Sequence, residues 1–361
     1  METSVSHWHP SPDHIHRKER YGNVSSPDST WGVVLAGGSG SRLSAFTTDA
    51  TGTVIPKQFC SFFGGSSLLR TTIQRLQTVV DPSRIVIVVS ALHRRWWESE
   101  LSDIDPENIV IQPCNRGTAC GVLLPLTSLL HRDPGARIIV SPSDHYVRDE
   151  DTLTSSMRVA LKQVHARPEL LVLLGIEPDR PETGYGWITP ETDGKGDVVA
   201  VTSFVEKPDA EHADDLMKSG ALWSSFTFVA TGDTLMHHFR RSMPWLVDRF
   251  STRLTQASPF HRQYALLSLY DKLPTVDFSR RVLQSADANV HVLPVPPCGW
   301  TDLGTPQRVS ECVERNSCAN AHPGRHTDQQ SQHPIDVGPP STRKYRSCAV
   351  DLAEVALRSF P

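Results

Sequence analysis

Trp31-Gly32-Val33-Val34-Leu35-Ala36-Gly37-Gly38-Ser39-Gly40-Ser41-Arg42-Leu43 is the stretch from which the fold is read. A short, partly β-branched apolar run, Gly32 to Ala36, predicts a buried strand. It ends directly in three glycines, at the place where an α/β sheet presents backbone N–H groups to an anion. A dinucleotide fingerprint would need a further glycine and an acidic residue closing the second strand. Here Arg42-Leu43 follows the loop, and the second strand ends in Ser90-Ala91. No Gly-Lys-Ser/Thr follows, so a Walker A loop fails as well. A bare Gly-Gly-x-Gly is commonly a tight turn, but Arg42 and then Pro56-Lys57-Gln58-Phe59 add two cations. Arg42 offers a planar fork and Lys57 a point charge, a pair suited to a triphosphate.

Outward from this loop, apolar runs alternate with segments of helical period. Ser66 is expected to cap a helix with Leu69, Ile73, Leu76 and Val80 on one face. Strands are expected at Ile85–Ser90, Asn108–Gln112, Arg137–Ser141 and Leu170–Ile176, with helices at Arg94–Leu101, after Thr118, and at Asp151–Ala166. The style then changes: Trp187–Pro190, a turn at Asp193-Gly194 and Val198–Glu206 predict an antiparallel hairpin beside the parallel sheet. A helix at Ala210–Ser219, a strand near Phe226–Ala230, helices to about Tyr270 and a strand at Val290–Val295 complete the order. The expected fold is α/β: a Rossmann-like, mostly parallel sheet flanked by helices, with an antiparallel hairpin region. Residues 1–30 read as a flexible leader, 31–312 as the folded domain, and 313–361 as a largely disordered tail with a short helix at 349–360.

With 36 basic and 40 acidic residues, the chain has no excess of positive charge for a nucleic-acid backbone. Its apolar runs are too short for membrane-spanning helices, and residues 1–30 carry no apolar secretory run. A cytoplasmic location is therefore expected. Seven scattered cysteines without a C-x-x-C pair argue against a disulfide framework or a zinc site.

Four further motifs follow the loop and the Lys57 segment: Asn115-Arg116-Gly117-Thr118-Ala119, Pro142-Ser143-Asp144-His145, Thr183-Gly184-Tyr185-Gly186-Trp187-Ile188 and Phe204-Val205-Glu206-Lys207-Pro208. Gly299-Trp300-Thr301-Asp302-Leu303-Gly304 closes the series. In this order they resemble the sugar-phosphate nucleotidyltransferases, and most of all the mannose-1-phosphate guanylyltransferases. The resemblance spans Trp31 to about Val309.

The resemblance implies transfer of a nucleoside monophosphate from an NTP, GTP first, to a sugar 1-phosphate, mannose 1-phosphate first, with release of pyrophosphate. It implies Mg²⁺ shared by Asp144 and Asp302, a choice that hard carboxylate oxygens at two strand ends also suit. It assigns Arg42 and Lys57 to the triphosphate and Lys207 to the sugar phosphate. Leu35, Ala36, Gly37, Gly38, Gly40, Ser41, Arg116, Gly117, Thr118 and Asp144 fall to the nucleotide; Gly184, Tyr185, Gly186, Glu206, Lys207 and Ser224 fall to the sugar phosphate. Thr118 is alternatively a helix cap, His145 structural, Trp187 packing, and Trp300 an anchor for the Asp302 loop. The partners implied are small molecules alone; the expectation of a homodimer rests on no motif.

Three departures stand out. Ser44-Ala45 replaces Trp-Pro, Gly117 stands where asparagine is common, and Trp223-Ser224-Ser225-Phe226 replaces Trp-Asn-Ser-Gly. Another pair, such as glucose 1-phosphate with UTP, dTTP or ATP, and a non-catalytic sugar-nucleotide sensor on the same fold are the alternative readings. Hydride transfer is third, for want of the acidic residue on the second strand.

Overall fold

The computed structural model describes residues 29–191, 196–255, 262–285 and 289–319. The leader to residue 28, the turn at Asp193-Gly194 and the helix expected at 349–360 lie outside the described residues.

Nine strands among the described residues form one sheet: β1 (Thr30–Ala36), β2 (Ile85–Ser90), β3 (Ile109–Gln112), β4 (Arg137–Pro142), β5 (Leu171–Ile176), β6 (Gly186–Pro190), β7 (Val199–Glu206), β8 (Leu222–Thr231) and β9 (Val290–Val295). Their spatial order is β3-β2-β1-β4-β8-β5-β9-β7-β6, and β6 also pairs with β8. The parallel and antiparallel pairings together send seven strands one way and only β7 and β8 against them. The expected α/β class and hairpin are present, and the hairpin is part of the sheet, bonded to β8 and β9.

Nine α-helices among the described residues accompany the sheet: α1 (Leu68–Gln77), α2 (Arg94–Glu100), α3 (Thr118–Arg132), α4 (Glu150–Ala166), α5 (Ala210–Lys218), α6 (Gly232–Ser242), α7 (Pro244–Thr255), α8 (Arg262–Asp271) and α9 (Pro306–Ala319). Side chains alternate across a strand, so both faces of the sheet need cover. Val34 and Ala36 of β1 join the core under α1, α2, α4, α5 and α9; Trp31 and Val33 join the core under α3, α6, α7 and α8. No described helix is long and apolar enough to cross a membrane.

Three expectations need correction. Ser67, one residue later than expected, caps α1: its extended backbone aims Oγ at the Arg70 N–H, 3.1 Å away. β8 starts at Leu222, four residues before the expected strand, because Trp223 and Ser225 turn into the core and Ser225 Oγ donates to Leu174 O at 2.8 Å. Finally, α9 passes the expected boundary at Cys312 and continues to Ala319, into the segment read as a structureless tail. Val309 and Cys312, three apart, bury one face of it. Thr305 followed by Pro306 is an N-terminal signal that the composition of the tail obscured.

Candidate active site

A cleft of about 300 Å³ opens across the carboxyl ends of β1, β3 and β4 and is walled on its other side by β6, β7 and β8. Of the residues singled out in the sequence, Leu35, Gly37, Gly38, Arg42, Gly117, Thr118, Asp144, Gly184, Tyr185, Gly186, Glu206, Lys207, Ser224 and Asp302 line it. Ala36, Gly40, Ser41, Lys57 and Arg116 do not.

The glycine loop is held from behind. Gln58 donates its side-chain amide to Ala36 O at 2.9 Å and Gly38 O at 2.8 Å, and Ser143 Oγ donates to Leu35 O at 2.7 Å. Gly40 has φ 60°, and a Cβ there would sit 2.8 Å from the Lys57 backbone nitrogen, so only glycine brings the two segments this close. Arg42 stands exposed on the following short turn, Ser41–Leu43, at the cleft wall.

Lys57 lies beneath the cleft floor, buried, with its ammonium between the two carboxylate-bearing loops. Its Nζ pairs with Asp144 Oδ2 at 2.9 Å and donates to Asp302 O at 2.5 Å. In this geometry the lysine expected on the triphosphate faces the Asp144 carboxylate and the Asp302 backbone carbonyl. Burial opposes ionisation of Asp144, yet Lys57 and His145 outweigh it and hold the carboxyl below its ordinary range. Burial also pushes the adjoining His145 imidazole down to about 4, against the pull of Asp144, so it is neutral at pH 7. Its ring meets Trp300 edge-on at 5.1 Å, which joins the Asp144 loop to the Asp302 loop.

Asp302 is fixed more tightly. Its Oδ1 accepts from Tyr185 Oη at 2.7 Å, Gly304 N at 2.8 Å and Arg308 Nη1 at 2.6 Å. Oδ2 lies so close to the Gly304 Cα that a Cβ would collide with it. The donor set is therefore two carboxylates, with no cluster of three or more His, Cys, Asp or Glu ligands among the described residues. It fits a hard cation that takes its remaining oxygens from water and phosphate, and it is too sparse for a closed zinc site.

On the opposite wall, Lys207 Nζ pairs with Glu206 Oε1 at 2.8 Å and Lys207 N donates to Tyr185 O at 2.9 Å. Three non-glycine residues among the described residues have left-handed backbone, Lys207 (φ 54°), Phe226 (φ 55°) and Leu303 (φ 46°). Two line the cleft and the third follows Asp302, the kind of placement in which strain is held for function. Phe226 occupies the wall next to Ser224 and meets Phe228 and Phe278 edge-on.

Gly117, with φ 85°, takes the N-cap position of α3, and Thr118 is the first helical residue. The Thr118 hydroxyl accepts from Phe278 N at 2.8 Å, tying α3 to a distant segment in place of capping its own helix. Arg116 donates to Tyr270 O at 2.7 Å, away from the cleft. Trp187 packs as expected, fully buried, its Nε1 donating to Glu182 O at 2.8 Å. Trp300 does more than expected, since it also lines the cleft. Asn115, which opens its motif, also lines the cleft, and sequence reading missed Gln112, Asp277 and Ser279, which line it as well. Gln112 lies three residues before the Asn115–Ala119 motif and was within reach of it; Asp277 and Ser279 belong to a segment with no motif.

The sequence profile described as nucleotidyl transferase matches residues 31–315. A mannose-1-phosphate guanylyltransferase of Escherichia coli strain K12 is 32% identical over 287 residues, covering 76% of this chain and 57% of that protein. Mannose-1-phosphate guanylyltransferase RfbM of Salmonella typhimurium strain LT2 is 34% identical over 282 residues, covering 76% and 56%. The chain thus spans under two thirds of the length of these curated relatives. Among solved structures, a Thermus thermophilus protein described as a mannose-1-phosphate geranyltransferase superposes with a TM-score of 0.65 at 28% identity, covering 76% of each chain.

Proposed function

The chain belongs to the nucleotidyl transferase family, and from that premise we propose that it joins GTP to mannose 1-phosphate, giving GDP-mannose and pyrophosphate. The observation that carries this reading is the convergence of Asp144 and Asp302 on one buried lysine at the floor of a cleft whose walls carry Arg42 and Lys207. The sugar phosphate attacks the α-phosphorus in line, and the bond to pyrophosphate breaks. An ionised phosphate needs no general base, so the work left to the protein is positioning and charge stabilisation.

Asp144 and Asp302 would hold Mg²⁺, which when bound supplies positive charge to the phosphate oxygens. Lys57 keeps Asp144 ionised at neutral pH and spaces the two loops. Arg42, at the glycine loop, gives the leaving pyrophosphate a planar guanidinium. Lys207, aimed by its left-handed backbone and by Glu206, meets the sugar phosphate, and Glu206 accepts from sugar hydroxyls. Free cysteines among the described residues, Cys60, Cys114, Cys120, Cys298 and Cys312, support a reducing, cytoplasmic setting.

Pyrophosphate release is to be measured for GTP, UTP, dTTP and ATP against mannose 1-phosphate and glucose 1-phosphate with Mg²⁺. Turnover with GTP and mannose 1-phosphate is expected, falling by more than about 100-fold in Asp144→Asn, beyond the usual loss of a supporting contact. Turnover with a different pair would reassign the substrates. Silence across all pairs, from folded protein that binds a sugar nucleotide, would replace the enzyme by a sensor.

A further inference from the structure

We infer that Arg308, a residue outside every motif of the cleft, is the positioning residue of the Asp302 carboxylate. The inference deepens the proposed function and rests on Asp302 being a metal ligand.

Arg308 does not line the cleft. It lines an adjoining cavity of about 130 Å³ on the other side of Tyr185 and Trp300, and its side chain is only 10% exposed. Its guanidinium is used from three directions. Nη1 donates to Asp302 Oδ1 at 2.6 Å and to Tyr185 Oη; Nη2 pairs with Glu182 Oε2; and the planar group lies 4.1 Å over the Tyr185 ring. Only arginine has a flat fork that reaches two carboxylates while stacking on an aromatic face. Asp302 Oδ1 is thereby saturated by three donors, and Oδ2 is the oxygen left for a cation.

The fork is itself held in place. Arg308, Glu311 and Arg315 follow one stripe of α9, and Arg180 pairs with Glu311 at 2.9 Å while Arg315 approaches Glu311 at 3.4 Å and Asp179 at 3.9 Å. Val309 and Cys312 on the neighbouring stripe enter the core. Docking of α9 on the 179–185 segment therefore sets the position of Arg308, and Arg308 sets the orientation of Asp302 and Tyr185. A carboxylate free to rotate would spend part of its time with neither oxygen aimed at the cation.

The test is direct titration of the full chain with Mn²⁺ alone, followed by loss of the free-ion EPR signal, with thermal melting as a check of folding. Wild type, Asp302→Asn, Arg308→Ala and Arg308→Lys are compared. Asp302→Asn is expected to abolish binding. Arg308→Ala is expected to weaken it about ten-fold or more, in the range found for groups that orient a metal ligand. Arg308→Lys, whose point charge reaches one carboxylate and not both, is expected to fall between wild type and Arg308→Ala while melting like wild type. In turnover, kcat should fall with little change in KM for the sugar phosphate. Unchanged or tighter Mn²⁺ binding in Arg308→Ala, with Asp302→Asn silent, would overturn the role of Arg308 and leave the metal site standing. Binding indifferent to Asp302→Asn would remove the metal site itself, and the inference with it. Should Arg308→Ala fail to melt cooperatively, Arg308→Lys decides, and wild-type affinity in that variant sinks the idea.

Discussion

Gly304 gives its backbone N–H to Asp302 Oδ1 and leaves empty the space that Asp302 Oδ2 borders. In Gly304→Ala the new methyl must push Oδ2 from its place, so the carboxylate turns while the fold survives. Activity is expected to fall by about 10- to 100-fold, the range for disturbed supporting contacts, with the melting temperature nearly unchanged; a wild-type kcat would mean that Oδ2 is not the working oxygen. Glu100 behaves differently, since burial raises its carboxyl above the ordinary value of 4.5, with the Ser67 hydroxyl and Arg70 opposing. A raised folded value means that unfolding releases a proton in the window above 4.5, so stability falls as pH rises through it. Glu100→Gln keeps an acceptor for the Ser67 hydroxyl and removes the buried charge. It should therefore melt higher than wild type at pH 8 and lose that part of the pH slope, as scanning calorimetry from pH 4 to 8 would reveal.

At the scale of elements, the capping Ser67 accepts from Arg70 N and donates to Glu100, joining the start of α1 to the end of α2. Ser67→Ala is expected to cost about 1 kcal/mol, and more where the Glu100 carboxylate also loses its donor, read as a lower urea midpoint at constant slope. Strands such as β2, with all six residues buried, are legible as apolar runs, and the glycine loop with Arg42 announces the cleft because its chemistry is local. α9 was hidden because its polar residues Gln307, Arg308, Glu311 and Arg315 resemble the polar tail after it. The start of β8 was hidden for a related reason, since Ser224 and Ser225 look like a turn until the partner strand supplies Leu174 O. Residues such as Arg308 and Phe278 bear on the site from outside the cleft, through contacts more than a hundred positions away at Tyr185 and Thr118, and no local pattern encodes such a pairing.

For the molecule as a whole, the hairpin of β6 and β7 decides how the two sides of the cleft are coupled. It could have been a flap hinged on a parallel sheet, yet β7 pairs with β9 at Val199–Val292 and β6 pairs with β8 at Trp187–Trp223. β8 in turn pairs with β4, which carries Asp144 beyond its end. One ladder thus runs from the strand before Asp144 to the strands bearing Glu206 and Trp187, and Lys57, Arg308 and Thr118 add ties across it. Neither side can lose its strands without breaking hydrogen bonds of the other, so the described residues are expected to unfold in a single step. The fluorescence difference between wild type and Trp187→Phe reports on the hairpin side, since the remaining tryptophans of the chain cancel in it, while far-UV dichroism reports on all the helices. Urea curves from the two probes should coincide in wild type, and both should move together in Ser67→Ala, although that substitution touches only the side of the cleft built on β1 to β4. Two separated transitions, or a tryptophan curve left behind by Ser67→Ala, would show that the hairpin side folds as its own unit and that the cleft is a joint between two bodies.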